Sequence, residues 1–149
     1  MAPQTKFLNQ SYVNFSFVKS NIVAFPSDYF DWKIIATFYC SMHLMKAFLV
    51  QNYKIYPNSH PEIESEINFD KGQTKIKEHV WKAYRNLRVE SEKCRYSGHN
   101  DLTQWNLIKK KELNNCLERL KIINSELIKK NIKSQFSNEE LDTLIKGSN

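Results

Sequence analysis

Turn-forming residues are scarce, with only 3 glycines and 4 prolines in 149 residues. A sandwich or barrel needs a tight connection every ten residues or so, and each tends to use glycine or proline, so an all-β fold is excluded. Cysteine is equally sparse. Cys40, Cys94 and Cys116 are odd in number and widely spaced, which argues against a disulfide framework and gives no zinc-ligand pair. The histidines, His43, His60, His79 and His99, lie too far apart to suggest a metal site, so no metal or other cofactor is expected. There is no glycine-rich phosphate loop, no paired-histidine helix motif and no glycine-flanked nucleophilic serine, and most familiar enzyme classes lose their sequence support. No uninterrupted apolar run reaches the length of about eighteen residues that spans a membrane. Residues 1–10 contain Lys6 but no apolar block of signal-peptide length. A cytoplasmic protein without a membrane partner is the resulting expectation.

What is present is apolar and aromatic content sufficient for a core: 41% hydrophobic and 13% aromatic residues, above what a disordered chain carries. One domain over residues 1–149 is expected, with a core across 28–132 and a short C-terminal helix at 137–146. The net charge of +6 is unevenly placed. From Lys71 to Lys133 there are 16 basic and 7 acidic residues, a net +9, while the remainder is net −3. Such a half attracts phosphates whatever their sequence, and RNA is the natural candidate. Lys109, Lys110, Lys111, Lys129 and Lys130 read instead as solvated helix-face lysines.

Apolar periodicity predicts helices throughout. Phe7, Leu8, Tyr12, Phe15, Val18 and Ile22 mark a first helix, halted by Phe25-Pro26. Asp28 is the expected cap of a second, which runs through Trp32, Ile35, Phe38, Tyr39, Met42, Met45 and Leu49 and is apolar on most sides, as the centre of a bundle would be. Ser59 and Glu62 have capping-box spacing for a short third helix to about Asp70, with Gly72 ending it. The fourth takes Ile76, Val80, Ala83, Leu87 and Cys94 as its apolar line, with Gly98 as cap. The fifth takes Trp105, Ile108, Leu113, Cys116, Leu117, Leu120, Ile123, Leu127 and Ile128. Ser137 and Glu140 announce a last short helix. The fold class is therefore all-α, an antiparallel four-helix-type bundle with extra short helices, packed around Trp32, Trp81, Leu87 and Leu117. His43, mid-way along the apolar second helix, reads as a core histidine bonded to a neighbouring helix.

The fourth helix carries a second line, Tyr84, Arg88, Ser91 and Arg95, at steps of four, three and four. On one reading this is a solvated face. On the other, an aromatic hydroxyl, two guanidiniums and a serine at one end of a bundle suit phosphate recognition, with Arg85, Lys93, Tyr96 and His99 close by. Tyr96 can stack on a base, and His99 can move protons in a metal-free cleavage of RNA.

The segment from Asp31-Trp32 through Phe38-Tyr39-Cys40-Ser41-Met42-His43-Leu44-Met45-Lys46-Ala47 resembles the central helix of the HEPN superfamily, where D-W is followed by an aromatic pair, A-x-H-hydrophobic and a later alanine. Ser59-His60 resembles the S-H that opens the short third helix of one HEPN-like subgroup. Tyr84, Leu87, Ser91, Cys94 and Arg95-Tyr96 resemble its fourth helix. The likeness covers residues 28–96. It implies an all-α bundle, homodimerisation through the helices that bear the site, and RNA cleavage or nucleotide binding, often in prokaryotic toxin–antitoxin or defence systems with an antitoxin partner. In the family's ribonucleases about four to six residues separate the arginine from its histidine, whereas three separate Arg95 from His99 here. Where the subgroup shows an arginine after the S-H, this chain has Pro61-Glu62-Ile63-Glu64.

Three functions follow as expectations. The first is a metal-independent endoribonuclease or toxin in which Arg95 binds the scissile phosphate, His99 is acid or base, and His60, Arg85, Arg88, Ser91 and Tyr96 hold RNA or phosphate. The second is a non-catalytic module for RNA, nucleotide or a partner protein. The third is a plain helical dimerisation protein whose polar stripe closes an interface.

Overall fold

The long apolar periods fold as helices because each buries a stripe that water disfavours. The computed structural model describes residues 1–96, 98 and 101–147, in which there are six helices and no strand: α1 (Thr5–Ala24), α2 (Phe30–Tyr53), α3 (His60–Glu66), α4 (Glu78–Tyr96), α5 (Leu102–Lys129) and α6 (Asn138–Gly147). The all-α helical bundle expected from periodicity is the observed architecture. Helix α2 lies at its centre and packs against α1, α4 and α5, which explains why it is apolar on most sides. Its length and composition are those of a membrane-crossing helix, with a mean hydropathy of 1.3 over the most apolar window, and 72% of that window is buried in the bundle.

Local chemistry sets the helix ends. Ser59 Oγ accepts from the Glu62 amide at 3.3 Å and starts α3, while the Glu62 carboxylate accepts from the amide of Asn58, one residue earlier than a strict capping box. Ser137 and Glu140 form the full reciprocal box before α6, at 3.1 and 2.9 Å. Asp101 caps α5 by accepting from the Gln104 amide at 3.1 Å. The C-terminus of α2 closes with Lys54 at φ 58°, its amide reaching Val50 O, while the Ile55 amide reaches Leu49 O at 3.1 Å.

Several sequence expectations are corrected. Asp28 does not cap α2: the helix begins from Tyr29 in a left-handed conformation, φ 60°, without a side-chain cap. The corner is held instead by the buried Lys33 ammonium, which donates to Phe25 O and lies 4.7 Å from the Phe30 ring centroid. Helix α3 ends at Glu66, short of Asp70. Gly72 belongs to the turn beyond it, where a Cβ would meet Asn68 O at 2.7 Å. Helix α4 ends at Tyr96, two residues before Gly98.

The core also departs from the expected list. Trp32 is 58% exposed, because the first turn of α2 buries Phe30, Lys33 and Ile34 and leaves Trp32 on the remaining side. Ile108 and Ile128 are exposed, while Lys109, expected in solvent, is buried, with its ammonium 4.7 Å over the Trp105 ring and 4.0 Å from Glu90 Oε2. Leu87, Leu117 and Leu120 are fully buried as expected, and Trp81 packs partly buried against the core. One hydrophobic cluster runs from Leu8 to Leu144, so the core extends past 28–132 at both ends. Phe15 of α1 stacks on Phe136 at 4.4 Å between centroids and ties the two extremities together.

Candidate functional site

Position along α3 and α4 decides what can converge. His60 and Glu64 are four residues apart on α3, and Arg88, Glu92 and Arg95 follow at steps of four and three on α4, so each set shares a helix face. Two contacts dock those faces. The Trp81 indole donates from Nε1 to Glu64 O at 3.2 Å, and Ile63 of α3 is fully buried. The result is a pocket of about 560 Å³ bordered by His60, Glu64, Arg88, Glu92, Arg95 and Tyr96.

Arg88 is paired there with two carboxylates. Its Nε donates to Glu64 Oε1 at 2.7 Å and its Nη1 to Glu92 Oε1 at 2.9 Å. Arg88 and Glu64 are only 20% and 18% exposed, so this is a partly desolvated clamp of charge-assisted bonds, and those bonds raise the Arg88 pKa further. Arg95 is differently placed. Its Nη1 donates to the Tyr39 hydroxyl at 2.9 Å, its guanidinium lies 5.8 Å from the Tyr39 ring centroid and 5.4 Å from that of Tyr96, and its Nε is buried without a partner among the described residues.

His60 completes the pocket. Its ring stands edge-on to Phe38 at 5.1 Å and to Tyr39 at 6.0 Å, and its Nδ1 is buried with no partner among the described residues. Burial first, and then the nearby Arg95, Lys46 and Arg88 charges, lower its pKa, with Glu64 opposing, so the imidazole is held neutral at neutral pH.

Of the residues singled out in the sequence, the structure brings His60, Arg88, Arg95 and Tyr96 together around one pocket. Arg85 lies elsewhere, exposed and with its guanidinium 5.5 Å from the Trp81 ring centroid. Ser91 and Tyr84 are fully buried, their hydroxyls without partners among the described residues. The polar stripe of α4 therefore turns inward for half its length, because α4 packs against both α2 and α5 and buries two faces. Those two positions of the stripe are therefore not on the surface that a closed interface would use. His99 lies outside the described residues. His43 meets α1 through a ring face, stacked with Phe7 at 6.4 Å, and its Nδ1 makes no hydrogen bond to a neighbouring helix.

Sequence reasoning missed Tyr39, Glu64 and Glu92. Glu92 was accessible in principle, four residues after Arg88 on one helix. Glu64 and Tyr39 lie 24 and 56 residues from the arginines they meet, with no local pattern to announce the contact.

No family model, curated protein or solved structure matches this chain.

Proposed function

We propose that this chain is a HEPN-like, RNA-associated module whose α3–α4 pocket binds a phosphate of RNA or of a nucleotide, with Arg95 as the principal donor. One observation carries the reading: in a pocket bordered by His60, Arg88, Arg95, Tyr96 and the carboxylates of Glu64 and Glu92, the Arg95 guanidinium is anchored by Tyr39 and, among the described residues, forms no ion pair. A fixed guanidinium whose charge is not paired with a carboxylate suits an anionic oxygen, and the exposed Tyr96 ring beside it suits a base or sugar. The net +9 between Lys71 and Lys133 supplies the long-range attraction.

Strand cleavage without a metal is the second reading, favoured by the neutral imidazole of His60 at the same pocket. A neutral imidazole can take the proton of a ribose 2′-hydroxyl, whose oxygen then attacks the adjacent phosphorus and expels the 5′-oxygen, which takes a proton from the imidazolium or from water. The product would be a 2′,3′-cyclic phosphate and a free 5′-hydroxyl. A place in a toxin–antitoxin or defence system, as a homodimer with an antitoxin partner, belongs to this reading and rests on the HEPN resemblance.

The test is binding of single-stranded RNA in EDTA, followed by fluorescence anisotropy at several salt concentrations. Parent protein should bind with an affinity that falls steeply with salt, and Arg95→Ala should weaken binding by about tenfold or more. Equal affinity for parent and Arg95→Ala, or indifference to salt, refutes the phosphate reading. Cyclic-phosphate products that vanish in His60→Gln would establish the second reading, and cleavage retained by that variant would remove His60 from it.

A further inference from the structure

We propose that Glu64, seconded by Glu92, sets the charge selectivity of the α3–α4 pocket, so that it accepts a singly charged internal phosphodiester and turns away the doubly charged phosphate of a mononucleotide. This rests on the phosphate reading above and adds to it a residue that selects between two classes of phosphate.

The charges around the opening come in two pairs, Arg88 and Arg95 against Glu64 and Glu92, with His60 uncharged between them. Pairing is unequal. Arg88 gives Nε to Glu64 at 2.7 Å and Nη1 to Glu92 at 2.9 Å, so one guanidinium faces two carboxylates. Among the described residues Arg95 pairs with no carboxylate and uses Nη1 on the neutral Tyr39 hydroxyl, which leaves its charge for a ligand. One available cation suits one negative charge. A phosphodiester carries a single charge, whereas a terminal phosphate carries about −1.5 to −2 at neutral pH.

To hold the second charge a ligand would need Arg88 as well. It would have to break a short charge-assisted bond and leave the Glu64 carboxylate, 18% exposed, facing an anion. Glu64 cannot withdraw easily. Its backbone carbonyl accepts from the Trp81 indole at 3.2 Å, and the next residue but two, Ile67, is fully buried, so the α3 backbone beneath the carboxylate is fixed against α4 and the core.

The test uses two probes that carry one phosphate each, the dinucleoside monophosphate UpU without terminal phosphates, which has two bases, and uridine monophosphate, which has one. Each is titrated by NMR at neutral pH and moderate salt against parent, Glu64→Gln, Glu92→Gln and Arg95→Ala, after matching melting curves. Parent should prefer UpU by several-fold. Glu64→Gln should raise affinity for the monophosphate by about tenfold while changing UpU less, Glu92→Gln should do the same to a smaller degree, and Arg95→Ala should lose both probes. A parent preference for the monophosphate, or an equal gain for both probes in Glu64→Gln and Glu92→Gln, overturns the selectivity role and leaves the phosphate site standing. Failure of both probes to bind parent protein overturns the phosphate site and this inference together.

Discussion

Arg95 in the last turn of α4 donates from Nη1 to the hydroxyl of Tyr39 on the central helix, at 2.9 Å and 56 residues away in sequence. The contact orients a guanidinium that would otherwise sample many rotamers, and it does so with a neutral acceptor that consumes none of its charge. Arg88, one pocket wall away, spends its charge on two glutamates. Of two arginines seven residues apart on one helix, only one is electrostatically available.

Tyr39→Phe tests that orientation. Removing the hydroxyl leaves the Arg95 charge in place but loosens its aim, so RNA affinity should fall by about three- to tenfold, in keeping with one hydrogen bond to a charged group at a partly exposed site. Arg95→Lys should not restore the parent affinity, since an ammonium lacks the fork that binds Tyr39 and phosphate at once. Unchanged binding in both variants would show that Arg95 acts as a diffuse charge.

The core correction has a stability counterpart. Leu87→Ala, at a fully buried position, should cost about 2–5 kcal/mol, whereas Trp32→Ala, at a position 58% exposed, should change stability by about 0.5 kcal/mol or less. Urea denaturation monitored by far-UV circular dichroism measures both, and the reverse order would place Trp32 in the core.

Acid should destabilise the fold through the half-buried His43. Burial, and secondarily the Lys46 charge, push His43 down from its ordinary 6.5 to about 4. In this range the unfolded chain binds a proton that the folded one refuses, so stability rises with pH. The His43 contribution is complete above about pH 6.5 and is lost progressively as pH falls toward about 4. His43→Gln should flatten that portion of the stability–pH curve, and an identical slope in the variant would mean that His43 titrates normally.

The three thiols should be silent. Cys40, Cys94 and Cys116 are all buried and free, and burial raises them to about 12, 11 and 12. A thiol-exchange reagent at pH 8 should label none of them in native protein within minutes and all of them in denaturant. Rapid labelling of native protein would reveal an opening near the modified helix.

Much of the fold can be read in the chain because helical periodicity reports directly on which side of a helix meets apolar neighbours. The caps Ser59 and Ser137 were legible for the same local reason, each needing only a glutamate three residues on. Trp32 and Lys109 were not, since residue type misleads where one side of a helix runs out of neighbours or where an ammonium finds an aromatic face and a carboxylate. In the candidate site, the α4 members and His60 stood out by chemistry and spacing. Glu64 and Tyr39 did not, because each meets its arginine only after the bundle brings distant segments together.

The most direct measurement of the central claim follows the Arg95 Nε–H itself. In proton–nitrogen NMR spectra of the arginine side chains, assigned with Arg95→Lys and Arg88→Lys, titration with UpU should shift the Arg95 Nε–H resonance strongly and saturably. The Arg88 signal, already bonded to Glu64, should move little. An Arg95 resonance that stays fixed while RNA binds elsewhere, or an Arg88 signal that responds in its place, would contradict the account.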